Sequence, residues 1–153
     1  MRRRRSGFTL VELLVVILVG SILTGIAVAG GGRFVARQGA VNARDAFVFL
    51  SFRARSIAVE SGRDILLELD PVSGEAWIVR REGGPRLETH RYEGEYQAEV
   101  VTPGNARITI CYSPRGYAIP ACSQNTNNVE VGFVRGGNTA RAVVRPLGQV
   151  EAR

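Results

Sequence analysis

Three hydrophobic rhythms divide the chain. From Phe8 to Ala29 the residues are almost continuously apolar, mostly Val, Leu, Ile and Ala, with one acid, Glu12, near the start. From Arg33 to Ser61 apolar positions recur at helical spacing. At about 100° per residue, Ala36, Ala40, Ala43, Phe47, Leu50, Ala54, Ile57 and Ala58 share one face. Beyond Gly62 the period falls to two: Ile65, Leu67 and Leu69 alternate with Leu66, Glu68 and Asp70, which predicts a strand.

The first run is 22 residues long, enough to cross a bilayer core of about 30 Å as a helix. Gly30-Gly31-Gly32 follows it. Each glycine costs a helix about 0.8–1 kcal/mol relative to Ala, so this is either a weak point, a hinge or a break, or a place where small residues let membrane helices approach closely. The second segment carries a further apolar stripe, Phe34, Val41, Val48, Phe52 and Val59, nearly opposite the first. A helix on a globular domain needs one apolar face. The expectation is therefore that Phe34 and Val41 are covered by a neighbouring chain, and that Phe52 and Val59 join the core. Gly62 should end the helix as a C-cap.

Asp70-Pro71-Val72-Ser73-Gly74 reads as a turn, with Ala76–Arg80 returning as the second strand of a hairpin. Residues 82–86 read as loop, and residues 87–100, polar and charged, as irregular or edge strand. Further strands are expected at Arg107–Tyr112, Gly116–Ile119, Val129–Val134, Ala140–Val144 and Gly148–Glu151. One long helix followed by short strands is an α+β pattern with a largely antiparallel sheet.

The start of the chain adds chemistry to this pattern. Arg2–Arg5 hold their end of an apolar helix on the cytoplasmic side. A carboxylate at Glu12 would cost about 2.5–3.5 kcal/mol at mid-membrane, less near an edge. A secretory signal has an apolar core of only about 7–15 residues with its small-residue cleavage site after it; here Gly7 stands in front. The string Gly7-Phe8-Thr9-Leu10-Val11-Glu12 resembles the class III signal of type IV pilins and type II secretion pseudopilins. The resemblance implies cleavage between Gly7 and Phe8 by prepilin peptidase and methylation of the Phe8 amine. It also implies a register role for Glu12, paired with the Phe8 amine of a neighbouring subunit. The domains that follow are a leader (1–7), a transmembrane and filament-core helix (8–29), its amphipathic second half (30–62) and a β-rich periplasmic head (63–153). The order helix, hairpin, loop and second group of strands looks like the H-type minor pseudopilins and FimT-like minor pilins. Those have two small sheets.

Charge changes little once position is considered. The formal net charge is +6, but without the four leader arginines the 20 basic side chains fall to 16, against 14 acidic ones, a net +2. Every basic residue is Arg, which removes lysine Schiff-base or nucleophile chemistry from consideration. Cys111 and Cys122 would lie in a translocated, oxidising compartment, where a disulfide is plausible and would contribute about 3 kcal/mol. Spacing alone does not establish the bond.

Catalytic groups are scarce. His90 is the one histidine, read as a solvated loop residue, and no nucleophile elbow, phosphate loop or metal-ligand spacing is present. Glu93, Glu95 and Glu99 cluster around Tyr92 and Tyr96 but form no recognised calcium loop. A nucleic-acid face is the alternative. Arg141 and Arg145 alternate with Val143 on one strand face, near Arg135 and either Arg107 or Arg115. DNA-uptake pilins of the FimT-like group carry a Gly-Arg-x-Arg string near the C-terminus; here that place reads Gly148-Gln149-Val150-Glu151, with an acid where an arginine would help.

The sequence thus reads as a structural filament subunit, with no cofactor or metal and no enzyme activity. It points to a minor pseudopilin of type II protein export or a minor pilin, in the bacterial inner membrane with its head in the periplasm. Its expected partners are other pilins, prepilin peptidase and the inner-membrane assembly platform. The alternative is a DNA-binding minor pilin of a competence system.

Overall fold

The computed structural model describes residues 9–124 and 127–153, without the side chains of residues 26–31 and 33. The bond between Gly7 and Phe8 lies outside the described residues. The chain forms two compact units, divided between Val35 and Ala36. One helix, α1 (Leu10–Ser61), contributes to both and passes through Gly30–Gly32 without a break in its helical assignment.

In the first unit α1 is apolar on every side. Leu10, Leu13, Leu14, Ile17, Ile22 and Leu23 are all largely exposed. Thr9 caps the helix, its hydroxyl accepting the Glu12 N–H at 3.3 Å, the geometry that Thr-x-x-Glu sequences favour. Among the described residues no helix is long and apolar enough to cross a membrane. The expected span over residues 8–29 includes Phe8 and side chains from residue 26 onward, which are not described.

The second unit is the head. Its part of α1 ends at Gly62, whose φ of +65° is a left-handed C-cap that a side chain would strain. The head contains β1 (Ile65–Asp70), β2 (Glu75–Arg80), β3 (Glu88–Arg91), α2 (Tyr92–Tyr96), β4 (Glu99–Val101) and β5 (Ile108–Tyr112). These are followed by β6 (Val129–Arg135), β7 (Asn138–Val144) and β8 (Val150–Ala152). They build two four-stranded antiparallel sheets, ordered β3-β2-β1-β5 and β4-β6-β7-β8.

The β1–β2 hairpin forms because alternation and turn chemistry agree. Ile65, Leu67 and Leu69 are buried while Leu66, Glu68 and Asp70 are not fully so. The Asp70 carboxylate accepts the Val72 N–H at 3.0 Å, an Asx turn that reverses the chain. Ala43, Phe47, Leu50, Ala54 and Ala58 pack from α1 onto both sheets in one core with Leu67, Ile78, Ile110, Val131 and Phe133. Each large apolar side chain buried there contributes about 1.5–3 kcal/mol. Of the predicted stripe, Ala36 and Ile57 are only partly buried.

Three expectations require correction and a fourth needs an addition. Phe52 and Val59 are not in the core; they are 58% and 52% exposed, because the sheets cover one side of α1 and these residues point away. Residues 87–100 hold the edge strands β3 and β4, in keeping with the edge-strand reading, but the helix α2 between them was not expected. Tyr92 is fully buried there, its ring 5.1 Å from that of Phe133. Gly116–Ile119 is not a strand; only Tyr112 and Ala118 bridge, as the chain crosses the edge of β5. His90 is not a loop residue but lies on β3 opposite Ala76, half-buried.

Candidate functional site

At the N-terminal motif the described atoms begin at Thr9. Glu12 lies in the first turn of α1 and is exposed, with apolar neighbours Val11, Leu13, Val15 and Val16 also exposed. A carboxylate in such surroundings is stable only beside a cation or water.

On the head, α1 turns a second apolar surface outward. Phe49, Phe52 and Val59 are 63%, 58% and 52% exposed, and Val48 is half-buried. Sequence reasoning assigned Phe49 to neither stripe. Phe52 borders a groove of about 260 Å³ with Ser51, Arg55, Tyr112 and Gly148–Glu151. Its floor is fixed: the buried Tyr112 hydroxyl donates to the Gly148 carbonyl at 2.7 Å, and burial pushes the Tyr112 phenol well above its usual range. Gly148 has a φ of +79°, and a Cβ there would fall 2.8 Å from the Ala118 Cβ.

The arginines grouped as a nucleic-acid face are not all brought together. Arg141 stands on the outer face of β7 and Arg145 follows the strand's last residue, and each has an acid beside it. Glu130 is 3.8 Å from Arg141, and Glu151 is 2.7 Å from Arg145. Arg135 keeps step with Val131 and Phe133, on the opposite face of the sheet. It lies over Gly39 of α1 and donates to the Gln97 side chain. Arg107 immediately precedes β5 of the other sheet and is paired with Asp70 at 2.8 Å, while Arg115 approaches the Tyr117 hydroxyl. These five charges are thus spread over separate parts of the head, and three of them stand beside acids.

Cys111 and Cys122 form a disulfide, with Cα atoms 5.7 Å apart. It pins the crossing loop to β5, where the Ile119 N–H also bonds the Cys111 carbonyl at 2.7 Å. This shields an otherwise open sheet edge. Among the described residues no group of His, Cys, Asp or Glu side chains could hold a metal ion.

The prokaryotic N-terminal methylation motif matches residues 2–28, the stretch containing Gly7, Phe8 and Glu12. Two solved structures share the arrangement of long helix and paired sheets. The Pseudomonas aeruginosa type IV minor pilin FimU has a TM-score of 0.58 at 15% identity, covering 78% of this chain and 92% of its own. The minor pseudopilin EpsH of the Vibrio cholerae type 2 secretion system has a TM-score of 0.54 at 10% identity, covering 74% and 95%. The chain is type IV pilin-like. At these identities the likeness speaks for the fold, and the motif supplies the independent link to prepilins. No curated protein sequence matches the chain significantly.

Proposed function

We propose that this pilin-like chain is a minor subunit of a type IV pilus or type II secretion pseudopilus. On this reading prepilin peptidase cuts between Gly7 and Phe8, the Phe8 amine is methylated, and Arg2–Arg5 have by then held the N-terminus in the cytoplasm. The apolar helix over residues 8–29 waits in the inner membrane with the head in the periplasm. It then passes, with the help of the assembly platform, into a filament. Glu12 pairs with the Phe8 amine of a neighbour, so that two charges costly in a dry environment neutralise each other.

The observation that supports this most is surface that one chain leaves uncovered. Helix α1 is apolar all round from Leu10 to Leu23 and apolar on its outward face at Phe49, Phe52 and Val59. Helices of the first kind are found buried in protein or lipid, and exposed patches of the second kind mark interaction surfaces. Neighbouring helices in a filament would cover both.

The test is incorporation of Glu12→Leu and Glu12→Gln variants into filaments in cells, against parent protein expressed equally. Both should be cleaved normally yet incorporate at least tenfold less well. Normal incorporation of both would retire the register role.

A further inference from the structure

Helix α2 is too short to stand alone. Isolated helices need about 12–15 residues to persist, and α2 has five, with no side-chain cap from Arg91 before it. Two tertiary anchors hold it. The Tyr92 ring is buried against Phe133, and the Glu95 carboxylate reaches back to β3. One Glu95 oxygen accepts the Arg91 backbone N–H at 3.2 Å; the other lies 3.1 Å from His90 Nδ1. The second imidazole nitrogen, Nε2, lies 3.4 Å from Glu88 Oε1.

Both ring nitrogens of His90 therefore face carboxylates, and carboxylates only accept. A neutral imidazole has one N–H and one bare lone pair, so it serves one acid and sets its lone pair against the other. The imidazolium donates to both. Burial works against charge on Glu95, but the Arg91 N–H and His90 outweigh it and hold this carboxyl below its ordinary range. Each of the two acids also has a further side-chain partner. Across the sheet His90 pairs with uncharged Ala76. From α1, Arg53 Nε lies 3.6 Å from Glu88. The Arg91 guanidinium is taken up by Glu75 at 2.8 Å, and Tyr96 on α2 bonds the same Glu95 carboxylate.

We infer that His90 is a proton-operated clasp. As an imidazolium it ties α2, through Glu95, to the edge strand β3, through Glu88, and loss of its proton loosens α2. What would move is one wall of a cleft of about 820 Å³ between the β1–β2 turn, the α2–β4 segment and the β6–β7 turn. Glu93, Gln97 and Glu99 line that wall and Arg135 faces them. The clasp would operate whether or not the chain enters a filament.

Amide exchange of the full chain in detergent micelles tests this, with protection factors referenced to the intrinsic rate at each pH. The reporter is the Ala98 N–H, which bonds the Tyr92 carbonyl at 3.1 Å across α2. From about pH 5.5 to about pH 8.5 its protection should fall about fivefold. Amides of β1 and β2 should hold theirs. His90→Gln should show low, pH-independent protection at Ala98. Glu88→Gln should also lose the pH response, because an amide can donate to a neutral imidazole, and this variant decides the matter if His90→Gln does not fold. Protection in the parent that ignores pH, a response that persists in either variant, or a fall spread equally over β1 and β2 overturns the proposal.

Discussion

Phe47 and Phe52 stand five residues apart on the same helix and should respond to alanine in opposite ways. Phe47 is fully buried, its ring 5.9 Å from that of Phe133 at the junction of helix and second sheet. Removing it forfeits transfer energy and leaves a cavity that the flanking sheets cannot close, about 3–5 kcal/mol. Phe52 is 58% exposed. The remaining 42% of a side chain of about 200 Å² amounts to roughly 80 Å², an upper limit of about 2 kcal/mol. A compact unfolded state lowers that figure, and alanine's better helix propensity returns about 0.5 kcal/mol, so the net loss is about 1 kcal/mol or less. At about 4 °C per kcal/mol for a domain of this size, thermal unfolding of the full chain in detergent should show a fall of about 12–20 °C for Phe47→Ala. Phe52→Ala should fall by about 4 °C or less. Filament incorporation should invert the order of interest: Phe52→Ala folds yet incorporates poorly. Equal losses of Tm would contradict the one-sided packing of α1. Normal incorporation of Phe52→Ala would contradict the role of its outward face.

Other outcomes follow from single contacts. Gly148→Ala combines a left-handed backbone with a Cβ driven against Ala118 and Tyr112, and should cost about 2–4 kcal/mol in denaturant titrations. Cys111→Ser with Cys122→Ser opens the loop closed by a separation of 11 residues; about 3 kcal/mol should be lost relative to oxidised parent, with reductant affecting only the parent. Asp70 is disfavoured by burial, yet the Arg107 guanidinium and the Val72 and Ser73 N–H groups prevail and hold its carboxyl below the ordinary range. A depressed carboxyl stabilises the fold above its unfolded value, near pH 4, and that contribution is lost as pH falls through the folded value. Asp70→Asn should therefore flatten part of the acid limb of a Tm–pH profile, by less than about 1 kcal/mol. Because Arg141 and Arg145 are paired with Glu130 and Glu151, a gel shift with duplex DNA at physiological salt should show no retention that Arg141→Ala removes.

Legibility in the sequence tracked the length of the pattern. The core face of α1 repeats over more than twenty residues, and Ala43, Phe47, Leu50 and Ala54 stand out by spacing alone. The β1–β2 hairpin was equally plain, since alternation and turn residues agreed. Periodicity reveals that a face is apolar but not what covers it, so Phe52 and Val59 could be placed in the core or outside it. The burial of Tyr92 was not legible because a helix of five residues has no period and its neighbours Arg91, Glu93 and Glu95 are charged. Arg135 did carry a usable sign: it alternates in step with Val131 and Phe133, and that parity places it on the opposite face from Arg141. The Glu88–His90 contact follows the alternation of β3, but the reach of Glu95 back to His90 depends on the five-residue α2, which has no period to reveal it.

The most direct test of the account is intact-mass and N-terminal peptide mass spectrometry of the protein isolated from filament-forming cells. The account predicts a chain beginning at Phe8 and carrying one methyl group on its amine. A chain that keeps residues 1–7, or one trimmed at any other bond, would contradict it.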